Sequence, residues 1–178
     1  ALAMRLWAEE RKSGTIELLM TLPITRFQAV TGKFLAAWVF AGLALLLTFP
    51  MVLTVNYLGQ PDNGAIVTGY LGSWLLAGCF LAIGSCMSAL AKNQVIAFIL
   101  CVSVCLLFIL SGFPLVLDAF SQWAPQWLVD GVASLSFLTR FEAISKGVID
   151  LRDLLYFVTL IAAWLAATAV VLDLKKAD

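Results

Sequence analysis

The chain has 178 residues, 62% of them hydrophobic and 12% charged, with a formal net charge of +0. A soluble domain is about half apolar and a quarter charged, so this composition, with a mean hydropathy of +1.00, reads as an integral membrane protein. The neutral balance offers no basic footprint for nucleic acid, and the absence of histidine removes the commonest general base and metal ligand.

Residues 1–12 run from Ala1-Leu2-Ala3 into a collar of four adjacent charges, Glu9, Glu10, Arg11 and Lys12. A bilayer core accepts charge only at high cost, so the collar belongs at a membrane surface. The apolar approach to it reads as the cytoplasmic end of a helix whose beginning lies upstream, and no signal peptide is visible. Ser13-Gly14 is a turn signal. Residues 15–22 form a short apolar helix candidate, with Ser13 placed to cap it, Glu17 near its first turn and Pro23 closing it. Ile16, Leu19 and Met20 can share one face, which also suits a helix lying on lipid headgroups.

Thr25-Arg26-Phe27-Gln28 fits a capping box, so a spanning helix is predicted from there to about residue 57. Lys33 lies near its charged end, placed to snorkel to the headgroups, and Pro50 predicts a kink. A loop with Gly59, Pro61, Asp62 and Gly64 follows. The next span covers about 65–90. Gly78, Ala82, Ser85 and Ala89 fall on one narrow face of it, a small-residue stripe that lets another helix approach closely. Lys92-Asn93-Gln94 turns the chain into a span at about 95–112, ended by Pro114. Cys79, Cys86, Cys101 and Cys105 all sit in these apolar runs. Without a CxxC pair or histidine they read as small packing residues rather than zinc ligands.

Residues 115–150 differ in kind. They carry Trp123, Trp127, Asp118 and Asp130, with no apolar run long enough to span, which suggests an interfacial belt. Thr139-Arg140-Phe141-Glu142 fits a second capping box, Lys146 suits the last turn and Gly147 the stop, so one short helix is predicted there. Asp150 can cap the last span, 151–174, which ends at Lys175-Lys176. The fold class expected is all-α: a polytopic bundle of four full spans plus the end of a preceding one. A short cytoplasmic helix and a short extracytoplasmic interfacial helix complete it. Arg5, Arg11, Lys12, Arg26, Lys33, Lys92, Lys175 and Lys176 fall on one side, against Arg140, Lys146 and Arg152 on the other. By the positive-inside rule the collar and C-terminus are cytoplasmic.

No acidic residue falls mid-span, where an ion-coupled carrier needs one, and no glycine-rich nucleotide loop is present. Energy for uphill movement is therefore expected from another subunit, with the collar and short helix as its docking surface.

The stretch Glu9-Glu10-Arg11-Lys12-Ser13-Gly14-Thr15-Ile16-Glu17-Leu18-Leu19, with Thr21-Leu22-Pro23 and Gly32-Lys33, resembles the membrane subunit of ABC type-2 transporters. It is similar to the gliding-motility-associated (GldF-like) branch. Gly147-Val148-Ile149-Asp150-Leu151-Arg152-Asp153 with Tyr156-Phe157 resembles that branch's last extracellular-to-membrane junction.

The resemblance implies that residues 1–178 are one permease domain whose first span and part of the second lie upstream, and that 13–23 is a coupling helix. Gly14, Thr15, Glu17, Leu18 and Leu19 would contact a separate ABC ATP-binding subunit, with Glu10 and Arg11 flanking and Pro23 closing the helix. A homo- or heterodimer of permeases in the inner membrane is implied. ATP would be bound by the partner, leaving this chain with no cofactor and no enzymatic activity. The branch's name does not fix a cargo. Two other readings stay open: a membrane scaffold that recruits a cytoplasmic protein, and an integral membrane enzyme.

Overall fold

A computed structural model describes residues 2–15, 25–121 and 125–174. All the regular structure among them is helical. A 3-10 turn, Leu2–Met4, leads into α1 (Arg5–Ser13). Next come α2 (Arg26–Leu46), α3 (Phe49–Leu58), α4 (Asn63–Leu90) and α5 (Gln94–Leu110). Three short helices follow, α6 (Pro114–Ser121), α7 (Gln126–Ser134) and α8 (Phe137–Ser145), and then α9 (Leu151–Leu174).

Helix α4 is the axis of the bundle. Its half nearest the collar is buried on all sides from Leu81 to Ala89, and α9, α2, α5, α8 and α1 all pack on it. Aliphatic side chains from α9, among them Ile161, Leu165 and Leu172, close the core with Val30 and Phe34 of α2. A helix that is apolar all round is buried in protein or lipid, and the exposed flanks of α2, α3 and α5 are Leu, Val, Ile and Phe, as a lipid-facing surface requires.

Among the described residues, three helices are long and apolar enough to cross a membrane: the α2–α3 unit (Arg26–Leu58, 33 residues), α4 (28 residues) and α9 (24 residues). The expected fourth full span is shorter. Helix α5 has 17 residues, about 25 Å at 1.5 Å per residue, against a hydrocarbon core of about 30 Å. Its end is set by packing. A Cβ on Gly112 would collide with the Ser136 hydroxyl, so the chain there lies directly against the start of α8.

Local signals explain most boundaries. Thr25 and Gln28 make the reciprocal capping box that starts α2, with Gln28 N donating to Thr25 Oγ1 at 3.3 Å and Thr25 N to Gln28 Oε1 at 3.0 Å. The break between α2 and α3 falls at Leu47-Thr48, two residues before Pro50, whose missing N–H leaves the ladder open. Asp62 caps α4, and Gly147 takes the left-handed conformation (φ 91°) after α8.

Ser13 is the last residue of α1, its hydroxyl donating back to the Glu9 carbonyl at 3.0 Å, and the helix it was expected to cap lies outside the described residues. Three expectations are corrected. Pro114 opens α6 rather than only closing α5, since a first-turn proline loses no helical bond. The described residues of the 115–150 segment hold three short helices, not one. The cap of helix α8 lies three residues before Thr139, at Ser136, whose hydroxyl accepts from Leu138 N at 3.2 Å.

Candidate functional site

The collar is built where α1 lies across the ends of α2 and α4. Trp7 of α1 is fully buried. Its indole Nε1 donates to Ser85 Oγ at 3.1 Å. Ser88 supplies what the start of α1 lacks. Its hydroxyl oxygen accepts from the Trp7 and Ala8 amides at 3.1 and 3.0 Å and donates to the Met4 carbonyl at 3.0 Å. The first amides of any helix have no partner within it. Here the cap comes from a different helix, and Met4, the residue at the capping position, makes no side-chain cap of its own. Close approach makes this possible: a Cβ on Gly84 would collide with the Ala3 side chain.

Lys33 completes the cluster from α2. Instead of reaching for headgroups, its ammonium turns inward. It donates to the Leu6 carbonyl at 2.9 Å, pairs with the Glu10 carboxylate and lies 4.4 Å over the Trp7 ring. The Lys33 and Glu10 side chains are 23% and 27% exposed, so this pair is screened less than one on an open surface. Glu10 Oε2 is buried without a partner among the described residues.

Gly14 ends α1 at φ 74°, in the left-handed region where a side chain is strained. Thr15 is exposed, its hydroxyl 2.9 Å from that of Ser13. Arg11 lies within α1. Glu17, Leu18, Leu19 and Pro23 lie outside the described residues, as does most of the 13–23 helix candidate. Among the described residues, then, Glu10, Arg11, Gly14 and Thr15 come together at one end of the bundle. Gly78, Ala82, Ser85 and Ala89 are all buried on α4. Ser85 and Gly78 do specific work there. Ser85 receives the Trp7 indole, and a Cβ on Gly78 would meet Trp38 Nε1 at 2.9 Å.

Sequence reasoning missed Trp7, Lys33 and Ser88 as members of one cluster. Trp7 and Ser88 are 81 positions apart, and Lys33 is 27 from the Leu6 carbonyl it meets, so no local signal joins them. It also missed a pair of Trp-x-x-x-Gly segments, Trp38/Gly42 and Trp74/Gly78, which a comparison of the two spans would have exposed. Among the described residues, no group of three or more acidic, cysteine or histidine side chains is placed to hold a metal ion.

Comparison with known proteins agrees with this architecture. Residues 1–175 match the family described as ABC-2 family transporter protein. Over 91 residues the chain is 36% identical to a Pseudomonas aeruginosa protein named "Probable ABC transporter permease protein NosY"; that match covers 48% of this chain and 33% of the relative. The chain thus aligns with about a third of the length of that relative. With a family match across nearly all of its residues and a bundle of membrane-length apolar helices, this chain belongs to the ABC-2 family of transporter membrane proteins.

Proposed function

We propose that the chain is the membrane-spanning permease subunit of an ATP-driven ABC exporter, in which a separate ATP-binding subunit hydrolyses ATP. The observation that carries this reading is the family match over residues 1–175. The collar adds to it, because a cluster of buried and charged groups joins the residues flanking segment 16–24 to α2 and α4. In this reading residues 13–23 are the coupling helix, and Gly14, Thr15, Glu17, Leu18 and Leu19 meet the ATP-binding subunit, with Glu10 and Arg11 beside them. Two permeases, identical or different, form the pathway in the inner membrane, with the C-terminus cytoplasmic. The gliding-motility-associated branch is the subgroup proposed. The chain itself takes no cofactor.

The test is co-purification of the full-length chain with an ABC ATP-binding subunit from the same organism, followed by permease-dependent ATP hydrolysis in lipid nanodiscs. Glu17 is the only charge between Lys12 and Arg26. Glu17→Lys is expected to leave the chain inserted and to weaken capture of the ATPase about tenfold or more. That is the loss expected when a charge-assisted hydrogen bond of about 1.5–3 kcal/mol is removed. Normal capture and hydrolysis in Glu17→Lys would remove Glu17 from the contact. If the wild-type chain captures no ATPase, the scaffold reading takes over.

A further inference from the structure

We infer that Lys33 is a positioning residue for coupling: it locks α1 to α2, so that the two ends of segment 16–24 move as one body. The inference rests on the permease reading.

The two ends of the segment are built stiffly but separately. One end leaves α1 through the left-handed Gly14, with the Ser13 and Thr15 hydroxyls in contact. The other enters α2 through the Thr25–Gln28 capping box. A push on the segment therefore reaches both α1 and α2. Whether it moves them together depends on what joins the two helices.

Lys33 joins them with three contacts of different kinds, each to a different residue of α1. One N–H goes to the Leu6 carbonyl, the charge goes to Glu10, and the ammonium sits over the indole of Trp7. Leu6, Trp7 and Glu10 span one turn of α1, so the ammonium fixes both the position and the rotation of that helix. A compact ammonium with three donor directions suits this arrangement; a planar guanidinium does not present its donors in the same way. Ser88 and Ser85 hold the same turn of α1 to α4. The turn of α1 that precedes segment 16–24 is thus tied to α4 by two serines and to α2 by a shielded cation.

The other ion pair at this end is a useful contrast. Arg26 pairs with Asp173 of α9, but the two side chains are 38% and 50% exposed. Exposed pairs are worth about 0–1 kcal/mol, so Arg26 makes a poor lock and a good control.

The experiment uses the full-length chain with its ATP-binding subunit in lipid nanodiscs. Hydrogen exchange is followed at residues 59–62, the turn at the opposite end of the α2–α3 unit, with and without ATP plus vanadate. In the wild type, nucleotide is expected to change exchange at that turn. In Lys33→Met, ATPase capture and basal hydrolysis are expected to persist. The nucleotide-dependent change at 59–62 should fall about fivefold or more, the lower end of coupling between distant sites. Glu10→Gln, which keeps the shape of the cluster, should reduce it in the same direction and guards against misfolding of Lys33→Met. Arg26→Gln should leave it unchanged. Loss of packing alone would lower ATPase capture along with the response, whereas loss of the lock lowers the response while capture persists. A wild-type response at 59–62 in both Lys33→Met and Glu10→Gln overturns the inference and leaves the permease reading standing. Absence of any captured ATPase in the wild type overturns both.

Discussion

Trp38 and Trp74 stack across α2 and α4 with ring centroids 4.3 Å apart and planes 11° from parallel, and each indole N–H donates to the other residue's carbonyl oxygen, at 2.9 and 3.1 Å. The arrangement is reciprocal down to its neighbours. A Cβ on Gly42 would meet Trp74 Nε1 at 2.8 Å, and one on Gly78 would meet Trp38 Nε1 at 2.9 Å. Each glycine stands one turn beyond a tryptophan and makes room for the opposite ring. In lipid there is little hydrophobic drive to bring helices together, so close packing and polar contacts of this sort must hold them.

The pair gives a graded prediction. Trp38→Phe keeps a ring in place but loses one interhelical hydrogen bond, worth about 0.6 kcal/mol on average in a membrane. Gly78→Leu forces a side chain into the Trp38 indole and Ile161, and overpacking of this kind costs about 1–3 kcal/mol. Ala82→Leu, at a fully buried position of the same stripe, should act like Gly78→Leu. Thermal unfolding midpoints in detergent should fall in the order wild type, Trp38→Phe, then the two leucine variants. A leucine variant as stable as wild type would show that α4 is free on that face.

Ser88→Ala tests the borrowed cap. It leaves the Trp7 and Ala8 amides and the Met4 carbonyl without their partner inside a packed site. An unsatisfied buried polar group costs about 1–3 kcal/mol. Hydrogen exchange at Trp7 and Ala8 should accelerate by about tenfold or more, the factor that 1.4 kcal/mol represents, while α9 stays protected. Unchanged exchange would mean that α1 is held without Ser88.

At the opposite end, Arg140 of α8 pairs with Asp153 in the first turn of α9 at 2.6 Å and lies 4.3 Å over the Tyr156 ring. The Tyr156 hydroxyl donates to the Leu135 carbonyl at 2.6 Å. The Arg140 and Asp153 side chains are 18% and 14% exposed, so the pair is shielded. Asp153→Asn should destabilise the chain by about 1.5–3 kcal/mol, the range for hydrogen bonds to charged groups. The loss should be nearly the same at low and high salt, because screening acts mainly on exposed charges. A loss that disappears at high salt would place the pair in open solvent.

Topology follows from the lysine and arginine asymmetry. A reporter fused after Asp178 should read cytoplasmic, and a cysteine placed at the exposed Lys146 should be labelled only from outside. The reverse at both sites would invert the orientation and remove the collar from the ATP side.

What the sequence disclosed was what neighbouring residues decide among themselves. The Thr25 box, the Pro50 break and the Gly147 stop each depend on a few adjacent positions, and each is in place. Even local rules compete, however. The Thr139 box matched its pattern, yet Ser136 starts the helix earlier because its position against Gly112 fixes the corner. Ser13 shows a second use of a hydroxyl at the end of a helix, which is to bond back to its own last turn. Lys33 was read as a snorkelling residue because a sequence gives only its depth. Its true partners come from α1, and the chain between them carries no trace of that pairing.

The cap that Ser88 provides also has a consequence in time. Ser88 is 81 positions downstream of Trp7, so the amides it receives are synthesised well before it. At about 5–20 residues per second, a ribosome needs roughly 4–16 s to cover that distance. Throughout that interval the start of α1 lacks its partner, however early it leaves the ribosome. The collar is therefore seated late in biogenesis, and its surface is finished only once α4 has entered the bilayer.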